Sequence, residues 1–251
     1  MLWCSYFKPH GPFTPPAAQW AQYADLPLPV PPVSDSALAD LPAHLQRSRA
    51  TAGYDQLDEA ETRRRIAGYY GNLAFVDQEV GRLLAALDAF GMRDDTLIVY
   101  TSDHGEMLGE RGLFAKSNFY EPSWRIPLFV HHPALADTGK RVATPVCLTD
   151  LLPTIAAVAG LPRPDNVHGA SLLPLMTGDG TFTRRHVYGE LGGRTSAHKA
   201  VADAEWKLAV YADREHLFHL ATDPQERHNL IHEAPEHAAQ LRRALTDWEQ
   251  E

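Results

Sequence analysis

Apolar residues recur at three- and four-residue steps between Glu61 and Phe90: Ile66, Tyr70, Leu73, Val76, Val80, Leu83, Leu84 and Leu87. That period lines one face of a helix, and Gly91 supplies its stop. A turn then leads into Thr96–Ser102, where Leu97-Ile98-Val99-Tyr100 is apolar without interruption. Such a run suits a strand covered on both faces, and the order helix, short turn, strand is that of a crossover onto a parallel sheet. Pro127–Val130 reads as another strand ending in His131-His132, and Asp150 opens an apolar helix through Val158 that Gly160 ends. Pro27–Pro32 and the polar stretch Ser34–Gly53 read as loop.

After Gly178-Asp179-Gly180 the pattern shortens into strands at His186–Glu190, Lys199–Val201 and Trp206–Tyr211, with a hairpin near Ala212-Asp213-Arg214. A last helix begins near Pro235 and uses Ala238, Leu241, Ala244, Leu245 and Trp248. The pattern predicts an α/β domain over 1–178 followed by a small α+β subdomain over 179–251.

Chemistry concentrates where the Thr96–Ser102 strand ends. Ligands in open α/β sheets gather beyond the carboxyl ends of strands, and there stand Asp103 and His104, followed by Gly105, which allows a sharp turn. Carboxylate oxygen suits calcium, magnesium or manganese, and imidazole nitrogen shifts the choice toward manganese or zinc. A hard cation takes about six or more ligands, so two residues supply only part of a shell. The plainer alternative is a turn that Asp103 caps. Arg111, Lys116 and Arg125 follow closely, as a pocket for both a cation and an anionic substrate would require. His131-His132, at the end of another strand, are expected to face the same edge. Asp94-Asp95, before the strand, read as a solvated loop pair, and Asp77 lies on the solvated face of the long helix.

Thr101-Ser102-Asp103-His104-Gly105-Glu106-Met107-Leu108-Gly109-Glu110, with Gly112-Leu113 and Lys116, resembles the second metal-binding block of the sulfatase family, most of all its choline-sulfatase and phosphonate-monoesterase branch. Ser5–Pro16, with His10, resembles the family's segment bearing a substrate-side histidine. Gly169-Ala170-Ser171-Leu172-Leu173-Pro174, Leu217–Leu220, Asp223-Pro224-Gln225-Glu226 and Asn229-Leu230 are similar to later landmarks that carry no chemistry.

The resemblance implies a partial alkaline-phosphatase-like fold, a parallel or mixed sheet with flanking helices, in which Leu2–Phe7 is an interior strand. It implies one divalent metal, calcium or manganese before zinc, on Asp103 and His104, and sulfate or phosphonate oxygens on His10 and Lys116; the charge of Arg111 alone adds it to the substrate contacts. It makes His10 and Lys116 the catalytic pair. The family nucleophile, a formylglycine made within Cys/Ser-x-Pro-x-Arg, has no counterpart, since neither Cys4 nor Cys147 is followed by that pattern. The early paired aspartates are missing as well. The expectation is therefore a C-terminal half of a sulfuric ester hydrolase, inactive alone. Its partners would be a small anionic sulfate or phosphonate ester, and either a second copy or the missing N-terminal half. Phosphonate monoester or phosphodiester hydrolysis, a two-zinc relative using His168, and a non-catalytic remnant remain alternatives.

Composition narrows the classes. With 44% hydrophobic and 22% charged residues, no apolar stretch approaches the roughly 18 residues of a membrane span. A net charge of −9 disfavours general nucleic-acid binding. Two cysteines are too few for a disulfide framework. MLWCSYFKPHG lacks the basic and apolar regions of a signal peptide, which favours the cytoplasm if the chain is complete.

Overall fold

A computed structural model describes residues 1–132, 139–192 and 197–250. The chain divides into two compact units, Met1–Leu97 with Glu106–Lys116, and Ile98–Gly105 with Ser117–Glu251.

The first unit is helical: α1 (Ala17–Trp20), α2 (Asp35–Ala39), α3 (Ala43–Thr51) and the long α4 (Glu59–Ala89). α4 starts where the Asp58 side chain accepts the Glu61 N–H at 2.7 Å. It stops at Gly91, whose φ of +64° is the expected left-handed terminus. Its buried face holds Ile66 and Val76 from the predicted stripe, and also Ala67, Gly68, Gly71 and Asn72. The glycines matter because a Cβ at Gly68 would lie 2.4 Å from the Phe13 carbonyl oxygen and one at Gly71 2.6 Å from the Pro15 ring. The segment after His10 therefore lies flush on the helix.

Two sequence expectations fail in this unit. Part of Ser34–Gly53 is helical rather than loop, because Ser34 caps α2 by accepting the Ala37 N–H at 3.2 Å and Leu41 and Leu45 are buried. Leu2–Phe7 forms no strand, and Met1, Leu2, Trp3 and Phe7 are exposed. A strand needs a hydrogen-bonded neighbour, and no described strand pairs with this stretch.

The second unit contains two sheets. β1 (Ile98–Thr101) pairs with β2 (Leu128–His131) in the register Ile98↔His131 to Thr101↔Leu128. α5 (Glu121–Trp124) lies between these two strands in the chain, and α6 (Leu151–Val158) and α7 (Leu173–Thr177) come after β2. β3 (Val187–Leu191), β4 (His198–Ala202), β5 (Trp206–Val210) and β6 (Glu215–His219) then form a four-stranded meander, and α8 (Pro235–Glu249) closes the chain. The α/β class holds, yet every described pairing is antiparallel. A parallel neighbour needs a long crossover, usually helical, whereas the only α-helix between β1 and β2 is the four-residue α5. The antiparallel register also corrects the reading of His131, which sits beside Ile98, at the opposite end of the pair from Asp103.

The meander has two covered faces, as the two-residue strand period demands. Val201, Leu208 and Leu217 pack on Ala238, Leu241 and Leu245 of α8, while Ala200, Ala209 and Tyr211 pack against Phe119 and Trp124. The β1–β2 pair is barer: Tyr100 is 38% and Phe129 65% exposed.

Candidate functional site

In the second unit, Asp103 and His104 form a turn directly after β1. Ser102 Oγ donates to the His104 carbonyl at 2.8 Å, and Asp103 Oδ1 accepts the His104 N–H at 3.0 Å. His104 Nδ1 lies 2.8 Å from the Gly105 carbonyl oxygen. A carbonyl can only accept, so Nδ1 carries the proton and the lone pair is on Nε2. Nε2 stands 3.5 Å from Asp103 Oδ2.

This donor set fits a divalent cation. At bond lengths of about 2.1–2.4 Å, atoms 3.5 Å apart subtend about 95–115° at a shared ion, inside the range of octahedral and tetrahedral shells. Among the described residues no group of three or more His, Cys, Asp or Glu converges. Gly105 locks the turn: its N–H donates to the Ser123 carbonyl at 2.8 Å, and a Cβ there would lie 2.0 Å from the Pro122 oxygen.

In the first unit, His10 and Lys116 meet although 106 positions separate them: Lys116 Nζ lies 3.1 Å from His10 Nε2. His10 repeats the arrangement of His104, with Nδ1 2.8 Å from the carbonyl of the following glycine, Gly11. Its Nε2 is then an acceptor for the Lys116 ammonium. Lys116 ends a tightly wound loop. Met107 N–H donates to Ala115 O at 2.9 Å, and Gly109 N–H to Leu113 O at 2.7 Å. Leu108, Arg111 and Ala115 take positive φ. The hub is Glu106, whose Oε1 accepts the N–H groups of Leu108 and Ala115 at 3.1 and 2.5 Å. Arg111 lies in the same loop, half-buried.

Sequence reasoning passed over several residues that hold these groups. Glu106 reads as one more acidic residue, and Asn72 as an interruption of the α4 stripe. Asn72 is fully buried and donates to the Pro9 carbonyl, next to His10, at 3.3 Å. Asp150, read as a helix opener, is fully buried; it accepts the N–H groups of Cys147 and Ala170 at 2.9 and 2.8 Å and pairs with Arg184. Burial pushes the Cys147 thiol up, which suits a packing group and not a nucleophile. Asp77 and His168 are exposed, Asp94 and Asp95 stand in a solvated turn, and Arg125 pairs loosely with Glu121 at 4.0 Å.

The model of the sulfatase family matches residues 5–161, and that of the N-sulphoglucosamine sulphohydrolase C-terminal region matches residues 109–251. The chain belongs to the sulfatase family. Among relatives in this family, the choline-sulfatase of Rhizobium meliloti is 36% identical over 91% of the chain and 46% of its own length. The arylsulfatase of Clostridium perfringens is 32% identical over 90% of the chain and 48% of its own. The chain thus spans about half the length of the curated relatives it matches. Among the solved structures that share its fold are the phosphonate monoester hydrolase SpPMH of Silicibacter pomeroyi (TM-score 0.80, 30% identity, 98% of this chain and 54% of that one) and that of Agrobacterium radiobacter (0.81, 26%, 96% and 54%). The sulfatase fold is alkaline-phosphatase-like, as the resemblance implied.

Proposed function

We propose that this sulfatase-family chain serves the hydrolysis of a sulfate ester, with Asp103 and His104 as two ligands of a divalent cation and His10 and Lys116 as contacts for the anion. The observation that carries the reading is the pair of oriented histidines. Each imidazole fixes its Nδ1–H on the next carbonyl and keeps Nε2 for chemistry, once facing a carboxylate and once facing an ammonium. A bound cation would polarise the ester oxygens as a Lewis acid. The carboxylate suits calcium or manganese and the imidazole manganese or zinc, so manganese fits both donors.

Lys116 holds the proton-rich side of its pair. Its ammonium donates to His10, so an arriving oxyanion competes for that hydrogen bond and draws Lys116 toward the leaving oxygen. His10 keeps the ammonium aimed until then; with a proton on Nε2 it would donate as well. Arg111 adds positive charge from the same loop. The attacking group comes from outside these 251 residues, since no Cys/Ser-x-Pro-x-Arg occurs in them, and the chain alone is accordingly inactive.

The test mixes the chain with a polypeptide supplying a formylglycine-bearing sulfatase N-terminal region and measures aryl sulfate turnover. Turnover should require both parts and fall about 100-fold or more in Lys116→Met. Turnover by the chain alone, or insensitivity to Lys116→Met, would refute the assignment. Phosphonate monoester hydrolysis is the second reading, favoured by the structural match to two such hydrolases. Faster cleavage of an aryl phosphonate than of the aryl sulfate by the same mixture would select it.

A further inference from the structure

Lys207 of β5 and Glu226 of the loop after β6 are fully buried charged groups to which the proposed chemistry gives no work. Lys207 Nζ stands 2.5 Å from Glu226 Oε1 and 2.7 Å from Glu121 Oε1, and 5.2 Å above the Trp124 ring. Glu226 Oε2 accepts the backbone N–H of Glu121 at 2.7 Å. Charged groups taken out of water are costly, and breaking such a set is costlier still. The question is what this one fixes.

Its contacts converge on α5. Glu121 begins that helix, and the helix ends on the carbonyl groups that hold Gly105: the Ser123 oxygen accepts the Gly105 N–H, and the Pro122 oxygen fills the space a Cβ at Gly105 would need. The same strap is fastened on either side. Phe119 N–H donates to the Tyr211 hydroxyl at 3.0 Å, and Tyr120 is stacked on His216. Four residues of the strap, Asn118, Phe119, Tyr120 and Ser123, are buried.

We infer that the buried Lys207–Glu226–Glu121 triad is a positioning device: it clamps α5 to the C-terminal meander so that Ser123 and Pro122 hold Gly105 and aim the Asp103–His104 turn. The landmark Asp-Pro-Gln-Glu, silent in sequence, thereby acts on the turn through Glu226. The inference rests on the proposed cation role for its functional meaning, but the positioning itself is readable without any metal.

The experiment uses Glu226→Gln in the full chain, with Glu121→Gln as the milder variant should the first not fold. Leu241→Ala serves as a control that weakens the opposite face of the meander. The first readout is the Gly105 amide and His104 ring signals in the NMR spectrum of the folded, metal-free protein; the second is Mn2+ affinity by titration. Glu226→Gln should shift both signals and weaken Mn2+ about tenfold or more, the usual size of an outer-shell effect. Leu241→Ala should lower thermal stability yet leave the signals and the affinity in place. Unmoved Gly105 and His104 signals in both Glu226→Gln and Glu121→Gln would overturn the inference, as would equal shifts in Leu241→Ala. Failure of the wild-type chain to bind Mn2+ would sink the cation reading alone, because the Gly105 signal still decides the positioning.

Discussion

The two sheets of the second unit are built to opposite standards. The β3–β6 meander is covered on both faces, with Ala200, Val201, Leu208 and Leu217 wholly inaccessible. The β1–β2 pair is two strands of four residues, and the rings of Tyr100 and Phe129 touch across it in the open, 6.0 Å apart. The turn with the candidate cation ligands follows the bare pair, while the groups that fix it are rooted in the packed meander. A two-stranded ribbon is marginal by itself, so its chemistry depends on outside support. The strap from Asn118 to Trp124 provides that support.

If the comparison is right, damage should be severe in the meander and slight in the ribbon. Lys207→Met strands two carboxylates without their cation and should cost about 3–5 kcal/mol in urea unfolding, the range for breaking a buried pair. Leu217→Ala leaves a cavity against α8 and should cost about 3 kcal/mol by the same measurement. A cost under about 1 kcal/mol for either would mean the meander is not the anchor.

A smaller effect is one of pH. Burial pushes the Glu226 carboxyl up despite Lys207, and Glu121 adds to the push, since one ammonium cannot neutralise two carboxylates. A carboxyl raised in the folded state binds protons that the unfolded chain releases. Its contribution is therefore full below the ordinary carboxylate range and fades as pH rises through the raised value. Stability measured against pH should show wild type losing ground to Glu226→Gln across that rise; a gap that widens with pH would reverse the sign. Smallest of all, Phe129→Thr in the ribbon should change stability by no more than about 0.5 kcal/mol, whereas a cost like that of Leu217→Ala would erase the contrast.

Local patterns were legible in the sequence, and long-range pairings were not. The α4 helix followed from its apolar period and Gly91, the meander from short strands and a hairpin, and the Asp103-His104 turn from its place after an apolar run. The antiparallel partner of β1 was not legible, because strand direction is decided by segments far apart, and with it went the reading of His131. The helices within 34–53 were hidden by polar composition, their caps being single residues such as Ser34. Lys207, Glu226 and Asn72 each resemble ordinary surface residues until the fold buries them, Glu106 until its loop winds around it, and Lys207 meets Glu121 across 86 positions. The meeting of His10 and Lys116 came from family resemblance, since a histidine between proline and glycine carries no signal of its own.

The central claim is that Asp103 and His104 grip one cation. Its most direct measurement is a Mn2+ titration of the chain followed by electron paramagnetic resonance, repeated on Asp103→Asn, His104→Gln and Lys116→Met. The account predicts one bound ion, weakened about tenfold or more by either of the first two substitutions and changed less than about twofold by the third. Binding that ignores Asp103→Asn and His104→Gln, or no binding to the wild-type chain, would contradict it.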